Sequence, residues 1–520
     1  MSGLRARLTL DRLALLVVVV GAVLLVASLV QGSNGDEARD SAVRLVPADA
    51  LLYVHVRVEP SSAQWQRAGE IVRQLPGLRR LRARALDSVS RERRRLNFET
   101  QVRPWIGDEA AVALLPEGRR ATSLILLRVA DEALARRFLA GAGSSTRQRH
   151  RGIDVRLYGD LAAAFVGRFM AIGSLANVRA AIDARRRGSL EGVDRFHRAV
   201  DELEVQDPLA YAYMPARGFS QVLAGQEGLI GQISSFVDTP GLDAVAAAVR
   251  AEGNGVRLDL ATLAPPRTPA RQFRPTLTEE VPSGTMAFVG AAGLDGVLDQ
   301  LERLSGEDGS ALPGLLQRLR RQLGSEGERA LLRALQPLLG RESALFATPP
   351  VNVPVVTLVV ADTTAEEAGG VLVALQPVIS RLLENPAGGQ VPAIIPRRIA
   401  GVEATTLSLS PGLALTYAAF DNRLVVSTSP AGIRQLRTGG DSLADNASFA
   451  PGGLRKSLDR ASSVVFLDLR RLSALVERAG LAATRGYRAI KADIARIGAV
   501  SGVTQSQRTS QTSQIFVEVP

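Results

Sequence analysis

The 520-residue chain carries the same ordered set of segments twice. The segments 46–50 and 281–285 each open a short apolar run of strand-like composition, and they lie 235 residues apart (281 − 46). The segments 104–109 and 337–342 correspond at an offset of 233 (337 − 104). A repeat of this length indicates two copies of one domain-sized unit, so any fold proposed for one half must also suit the other.

A later pair of segments, 161–173 and 416–427, has the pattern of two apolar strands joined by a tight turn. Val166-Gly167 and Asp421-Asn422 lie at the turns, where Gly, Asp and Asn tolerate positive φ. Helical patterns begin near residues whose side chains suit N-caps, and two aromatic residues 253 positions apart follow the later ones. The N-cap candidates are Asp131, Thr363, Ser174 and Ser429, and the aromatic pair is Phe196 and Phe449.

These patterns predict an α+β fold with two homologous modules, at 45–263 and 278–520, preceded by one transmembrane helix. Each module would be a mostly antiparallel sheet with helices packed on it. The many hairpin connections disfavour a doubly wound parallel sheet, whose strands need long crossovers. Four prolines fall in or near the segment 264–277, which is therefore predicted to be a semi-stiff linker.

The segment 13–30 consists of eighteen residues without a charge, nearly enough for a helix to cross a bilayer core of about 30 Å. Arginines precede it and acidic residues follow it. This predicts that 1–12 is a cytoplasmic tail and that the chain after residue 30 lies on the outer side of the cell membrane. The segment 31–44 would be a juxtamembrane linker. A cleaved signal peptide is the alternative, but its apolar core would be about 7–15 residues long.

The net charge is +11, and 61 of the 63 basic residues are arginine (63 less Lys456 and Lys491). This charge would attract anionic lipid, a wall polymer or an envelope protein, and an exported chain has little occasion to meet nucleic acid. The absence of cysteine excludes disulfides, lipid-modified cysteine and thiolate chemistry.

Three short motifs occur in order: V-P-A-D-A-x-x-Y-V at 46–54, P-W-I-G-D-E at 104–109, and F-x-x-A-x-x-x-L at 196–203 before Y-A-Y at 211–213. Together they resemble the bacterial family catalogued as domain of unknown function 3352. In the second copy, Leu338 replaces the Trp and Ser283-Gly284 replaces Ala-Asp. The resemblance implies an anchored, exported protein without an assigned activity, and it supplies no catalytic residues.

No pattern in the sequence predicts catalysis, a cofactor or a metal. His55, His150 and His197 have no partner at metal-ligand spacing, and they are interpreted as isolated histidines on polar faces. Nucleophile elbows and phosphate-binding loops are missing. The carboxylate pairs that could serve as acid and base are Asp108/Glu109, Glu202/Glu204 and Glu279/Glu280. Glu109 has a counterpart in the second copy, Glu342, which favours a structural role at the edge of a strand.

Both copies carry a Leu/Arg amphipathic segment before the P-x-x-G turn, at 78–95 and at 312–323. Each is predicted to cover its own sheet, or alternatively to bind an apolar groove or anionic headgroups. The sequence therefore predicts a non-enzymatic binding or scaffold protein of the bacterial envelope. A carrier of lipid or another hydrophobic ligand is the alternative, and an enzyme of unrecognised type is the second alternative.

Overall fold

The computed structural model describes residues 40–57, 63–74, 101–118, 120–204, 207–219, 241–265, 270–297, 335–349, 354–383, 394–410, 413–478, 491 and 494–519. They form two compact units: the described residues up to 265, together with 491, 494–496 and 519, make up the first, and the other described residues from 270 onward make up the second. Each unit is mostly antiparallel sheet with helices, which confirms the predicted α+β class.

The described part of the first unit contains ten antiparallel strands. They are β1 Leu52–Arg57, β2 Ile106–Glu117, β3 Arg120–Val129, β4 Thr146–His150, β5 Ile153–Tyr158, β6 Leu161–Val166, β7 Phe169–Gly173, β8 Ala210–Pro215, β9 Ala244–Glu252 and β10 Gly255–Leu263. Their order across the sheet is β4-β5-β6-β7-β3-β2-β1-β8-β9-β10. The central strand β1 is thus flanked by β2 and β8, which lie far from each other in sequence.

The described part of the second unit also contains ten strands. They are β11 Ala287–Ala291, β12 Ser343–Thr348, β13 Val355–Val360, β14 Ile394–Ile399, β15 Val402–Ser410, β16 Leu413–Phe420, β17 Arg423–Ser427, β18 Ser463–Asp468, β19 Ala499–Ser506 and β20 Ser510–Glu518. Their order is β14-β15-β16-β17-β13-β12-β11-β18-β19-β20. Counted in chain order within each unit, this is the strand order of the first unit.

The α-helices include α1 Ala63–Gln74, α2 Glu132–Gly141, α3 Leu175–Arg187, α4 Asp194–Asp201, α5 Ala216–Gly218, α6 Ala365–Leu383, α7 Pro430–Thr438, α8 Leu454–Ser457 and α9 Leu469–Arg478, and residues 294–297 are also helical. Short 3₁₀ helices lie at Ala42–Leu45, Leu190–Gly192, Thr276–Glu279, Gln336–Leu338, Leu443–Asp445 and Leu458–Arg460. Side chains of α3 and of the 3₁₀ helix Ala42–Leu45 share one apolar core with the first sheet.

Local signals placed several elements correctly. The side chains of Asp131, Ser174 and Ser429 cap α2, α3 and α7. Asp421 and Asn422 both have positive φ in the hairpin between β16 and β17. The cap before α6 was predicted one residue early: the Thr364 hydroxyl accepts from the Glu367 N–H at 3.2 Å, and α6 begins at Ala365.

Both predicted linkers are partly folded. Residues 40–44 belong to the first unit, because the 3₁₀ helix there buries Ala42 and Val43. Residues 270–277 belong to the second unit, where Phe273 pairs with Ala461 and the Ala270 N–H donates to the Ser506 hydroxyl at 3.1 Å. Proline limits backbone donors but does not prevent the neighbouring residues from hydrogen bonding.

In the part of the chain that the structure describes, no helix is long and apolar enough to cross a membrane. The predicted transmembrane segment, 13–30, and both Leu/Arg segments, 78–95 and 312–323, lie outside the described residues.

Candidate functional site

Glu109 is a buried carboxylate at the start of the first sheet. The β2–β3 register shifts between Ile106 and Ala110, and such an irregularity re-aims the side chains beside it. The Glu109 side chain is 1% exposed and accepts hydrogen bonds from the Ser41 N–H at 2.8 Å, the Ser41 hydroxyl at 2.6 Å and the Ala42 N–H at 2.7 Å. These N–H groups lie at the free N-terminal end of the 3₁₀ helix Ala42–Leu45, so Glu109 fixes that helix to the sheet.

The second unit repeats this arrangement. Glu342 accepts from the Thr276 hydroxyl at 2.5 Å and from the Leu277 N–H at 2.8 Å, at the start of the 3₁₀ helix Thr276–Glu279. Ser41 therefore corresponds to Thr276, and Ala42 to Leu277. The shared role of the two glutamates is to hold the entering chain against the sheet.

Asp40 adds a second carboxylate beside Glu109 in the first unit. It accepts from the Val43 N–H at 3.0 Å, from the Tyr53 hydroxyl at 2.8 Å to each oxygen, and from the Tyr211 hydroxyl. Tyr53 and Tyr211 lie on β1 and β8, so side chains from two strands that are distant in sequence converge on this carboxylate.

His55 of β1 faces both carboxylates. Its Nε2 lies 3.5 Å from Glu109 Oε1 and 3.9 Å from Asp40 Oδ1, and it has no hydrogen-bond partner among the described residues. The residue is 6% exposed. A buried imidazole nitrogen with a bare lone pair would repel these oxygens, so Nε2 must carry a proton or another cation.

The surrounding ion pairs leave this cluster negative. Arg128 lies 3.3 Å from Asp108 and 3.2 Å from Glu109, and Arg57 pairs with Asp207 at 2.7 Å. One arginine thus faces Asp108 and Glu109, while Asp40 is held by neutral hydroxyl and N–H donors. With His55 neutral, the group formed by Asp40, Asp108, Glu109 and Arg128 has an excess of two negative charges, which favours the binding of a cation.

The pKa shifts follow from this arrangement. Burial raises the pKa of Tyr53, as do the charges of Asp40 and Glu109, so the phenol stays a donor. Burial also acts to lower the pKa of His55, but the Asp40 and Glu109 carboxylates outweigh it and raise that pKa. For Glu109, burial is opposed by the neighbouring His55 imidazolium and by hydrogen bonds from Ser41 and Ala42, which together lower its pKa to about 2.

Among the described residues of the second unit, Glu342 and its Thr276 hydroxyl repeat the first unit, but the positions of Asp40, His55, Tyr53 and Tyr211 are not polar. Strand register places Gly290 at the position of His55, Phe288 at that of Tyr53 and Val464 at that of Tyr211. Pro275 precedes Thr276, as Asp40 precedes Ser41. A Cβ on Gly290 would lie 2.9 Å from the Phe288 ring, so that ring occupies space that a side chain at 290 would need. The structural glutamate is common to both units, whereas the polar cluster is specific to the first.

The interpretation of His55 as an isolated histidine is wrong, because the fold buries it beside two carboxylates. His150 Nε2 lies 3.0 Å from Asp183, and His197 Nε2 lies 2.5 Å from the Glu191 carbonyl, both away from the cluster. Glu280 pairs with Arg423 at 2.6 Å, and Glu202 and Glu204 follow the end of α4. Of the carboxylate pairs named from the sequence, the structure brings Asp108 and Glu109 to the cluster.

Asp40, Tyr53, Arg128 and Tyr211 are members of the cluster that the sequence did not indicate as site residues. Asp40 is one of the acidic residues that follow the apolar segment, and nothing in its neighbours marks it as buried. Tyr211 belongs to the Y-A-Y motif, which gave a local signal for it, but not for its partner 171 residues away.

Comparison with known proteins identifies one family. The family model described as "Protein of unknown function (DUF3352)" matches residues 12–519. No curated protein matches the chain.

Solved structures of the protein TP0453 are distant neighbours. Crystal forms I and III each share 10% identity with the chain at a TM-score of 0.26, covering 44% of this chain and 81% of TP0453. Crystal form IV gives 10% identity and a TM-score of 0.25, covering 42% and 79%. Likeness at this level supports no conclusion about fold or function.

Proposed function

The chain belongs to the DUF3352 family, and we propose that it is a membrane-anchored protein of the bacterial cell envelope, with an extracytoplasmic, non-enzymatic binding or scaffold role. The observation that carries this proposal is the uncharged segment 13–30 with arginines before it and acidic residues after it. The family match begins at residue 12, so the segment is part of the matched pattern.

The anchor would hold the folded part near the membrane. Nine residues, 31–39, separate the apolar segment from Asp40, where the described fold begins. Fully extended, they would span about 30 Å at ~3.3–3.6 Å per residue. Because Asp40 and the 3₁₀ helix after it are fixed to the first sheet, the first unit would stay within that distance of the bilayer.

We further propose that the two units are homologous products of an internal duplication. The common strand order supports it, as do the capping glutamates Glu109 and Glu342. A duplicated sheet suits a scaffold, and the presence of Pro275, Gly290 and Val464 at the positions of Asp40, His55 and Tyr211 suggests that the first unit has a property of its own.

Membrane anchoring is tested with the full chain expressed in a bacterium. Carbonate-washed membranes should retain the protein, and protease added to spheroplasts should digest it, because the ectodomain lies outside. The variant Val20→Arg/Ala22→Arg should leave the carbonate-washed membrane, since each arginine at the centre of a spanning helix costs about 2.5–3.5 kcal/mol. Intact mass distinguishes an anchor from a cleaved signal peptide. Recovery of the unaltered chain in the cytosol would overturn the proposal.

A cationic face of the first unit is the surface that best supports a binding role. It lies on the side of the edge strand β4 and its neighbour β5 that faces away from helix α3, because Gln148 and His150, which alternate with the β4 arginines, contact α3. Arg147 lies directly opposite Arg156, and such like-charge pairs destabilise a sheet. The arginines of this face are Arg147, Arg149 and Arg156, and Asp154 lies 3.7 Å from Arg147. Edge protection accounts for charge on β4, but not for Arg156 on the inner neighbour β5.

We propose that this face binds an anionic, phosphate-bearing wall polymer. The full chain in detergent should bind fluorescent poly(glycerol phosphate) in a salt-dependent manner. Arg147→Glu/Arg149→Glu should weaken binding roughly 10-fold or more, since each basic residue near an anionic surface contributes about 1 kcal/mol. The control Arg470→Glu/Arg508→Glu reverses two exposed charges in the second unit and should change the affinity less than about 2-fold. Equal loss in both variants would contradict a localised site.

A further inference from the structure

Asp40, His55 and Glu109 each direct one ligand atom to a common point in the first unit, and these atoms lie within 4.8 Å of one another. We propose that this point binds a single divalent transition-metal ion, with Zn²⁺ as the best fit, which joins the N-terminal segment to β1 and β2. The site goes beyond the proposed envelope function and does not depend on whether the chain is anchored.

The distances suit tetrahedral coordination. Zn²⁺ binds imidazole nitrogen and carboxylate oxygen at ~2.0–2.2 Å, so ligand atoms in a tetrahedral site lie about 3.4 Å apart. His55 Nε2 is 3.5 Å from Glu109 Oε1 and 3.9 Å from Asp40 Oδ1. All three ligand atoms lie within 4.8 Å of one another, so closure around an ion requires the Asp40 carboxylate to approach the other two ligands.

His55 provides the independent indication of a ligand. Its side chain is 8% exposed, and Nε2 points between the two carboxylates without a hydrogen bond. Buried polar atoms are nearly always satisfied, so an orphaned imidazole nitrogen aimed at two acidic oxygens indicates a missing cation. Zn²⁺ would accept the imidazole lone pair and both carboxylates, whereas Ca²⁺ and Mg²⁺ prefer shells of oxygen ligands.

The neighbouring donors form the outer shell that a metal site needs. Ser41, Ala42 and Arg128 hold Glu109, and Tyr53 and Tyr211 hold Asp40. Hydrogen bonds of this kind orient metal-binding carboxylates and are compatible with coordination. A divalent ion would also neutralise the excess of two negative charges in the cluster. The Asp40 side chain is 14% exposed, which gives an entering ion or a fourth, water ligand access from solvent.

The second unit serves as an internal comparison. It keeps Glu342 and its hydrogen bonds but has Pro275, Gly290 and Val464 where the first unit has Asp40, His55 and Tyr211. If the cluster served merely to fix the entering chain, the glutamate would suffice, as it does in the second unit. The additional ligand set in the first unit therefore requires another purpose, which metal binding provides.

The test is calorimetric titration of Zn²⁺ into the full chain, purified in detergent and freed of metal with a chelator, at neutral pH. One ion per chain is expected to bind with a Kd in the micromolar range or below. His55→Ala should weaken binding at least ~100-fold, and Tyr211→Phe, which removes an outer-shell donor, about 10-fold. His197→Ala removes a histidine outside the cluster and should leave binding unchanged. Binding of Ca²⁺ and Mg²⁺ should be at least ~100-fold weaker than that of Zn²⁺.

Tryptophan fluorescence reports whether each variant is folded, because Trp65 and Trp105 both lie in the first unit. Should His55→Ala fail to fold, Tyr211→Phe and the cobalt spectrum of the unaltered chain decide: tetrahedral Co²⁺ gives intense visible bands that His coordination shifts. The proposal would be overturned if Zn²⁺ bound no more tightly than about 1 mM, or if folded His55→Ala bound it fully. His55 would then carry a proton beside the two carboxylates.

Discussion

Glu109→Gln is expected to lower the free energy of unfolding of the first unit by about 3 kcal/mol at neutral pH. The native environment lowers the Glu109 pKa from 4.5 to about 2, and each unit of such a shift corresponds to about 1.4 kcal/mol of stabilisation of the ionised form. Glutamine with its carbonyl oxygen toward the Ser41 and Ala42 N–H groups would also direct its amide hydrogens at Arg128, which is itself a donor. Urea unfolding of the metal-free full chain, followed by tryptophan fluorescence, measures this loss in the first unit.

Glu342→Gln is the matched control. Burial raises the pKa of Glu342 despite its hydrogen bonds from Thr276 and Leu277, so its ionised form is not favoured by folding. The substitution should cost less than about 1 kcal/mol and leave the tryptophan transition of the first unit unchanged. An equal loss in both variants would show that the carboxylate charge of Glu109 has no special stabilising role.

The stability of the unaltered chain and that of Glu109→Gln should depend differently on pH. A lowered pKa means that the stabilisation by Glu109 is fully present above about pH 4.5 and is lost as the pH falls toward 2. The unaltered chain should lose its advantage over Glu109→Gln across that window, so that the two unfolding midpoints converge in acid. A constant difference between them from pH 7 to pH 2 would contradict this assignment of the charge effect.

What could be predicted from the sequence is what short segments determine. The caps at Ser174 and Ser429 and the hairpin at Asp421-Asn422 depend on side chains and backbone angles within a few residues, and the structure contains them. The alternation of apolar residues and the short turns likewise indicated antiparallel strands.

The cluster could not be predicted in this way because its members come from distant parts of the chain. Tyr211 and Asp40 are 171 residues apart, and Ser41 and Glu109 are 68 apart. Their meeting depends on β8 and β2 pairing with opposite edges of β1 and on the chain before β1 returning to the sheet. Asp40 looked like a membrane-flanking charge because its burial follows from Glu109, which captures the N–H groups that come directly after it.

One aromatic packing arrangement occurs in both units, whereas the polar cluster occurs in the first. Phe196 contacts Tyr53 and Tyr213, with ring centroids 6.1 and 5.2 Å apart. Phe449 contacts Phe288 and Phe466 at 6.5 and 5.9 Å. Tyr53 and Tyr213 are register partners, as are Phe288 and Phe466, so each phenylalanine packs edge-on against the same pair of sheet positions. The two phenylalanines predicted to correspond therefore occupy corresponding places.

Phe196→Ala is accordingly expected to lower the free energy of unfolding of the first unit by about 3–5 kcal/mol, the usual cost of removing a buried phenylalanine ring. Phe196→Leu keeps most of the volume and should cost less than about 1.5 kcal/mol. Phe449→Ala should destabilise the second unit by a similar amount, detected by hydrogen exchange of β18, while the tryptophan transition stays in place. A small loss for Phe196→Ala, below that of Phe196→Leu, would mean that the ring is dispensable. Other contacts would then stabilise the sheet of the first unit.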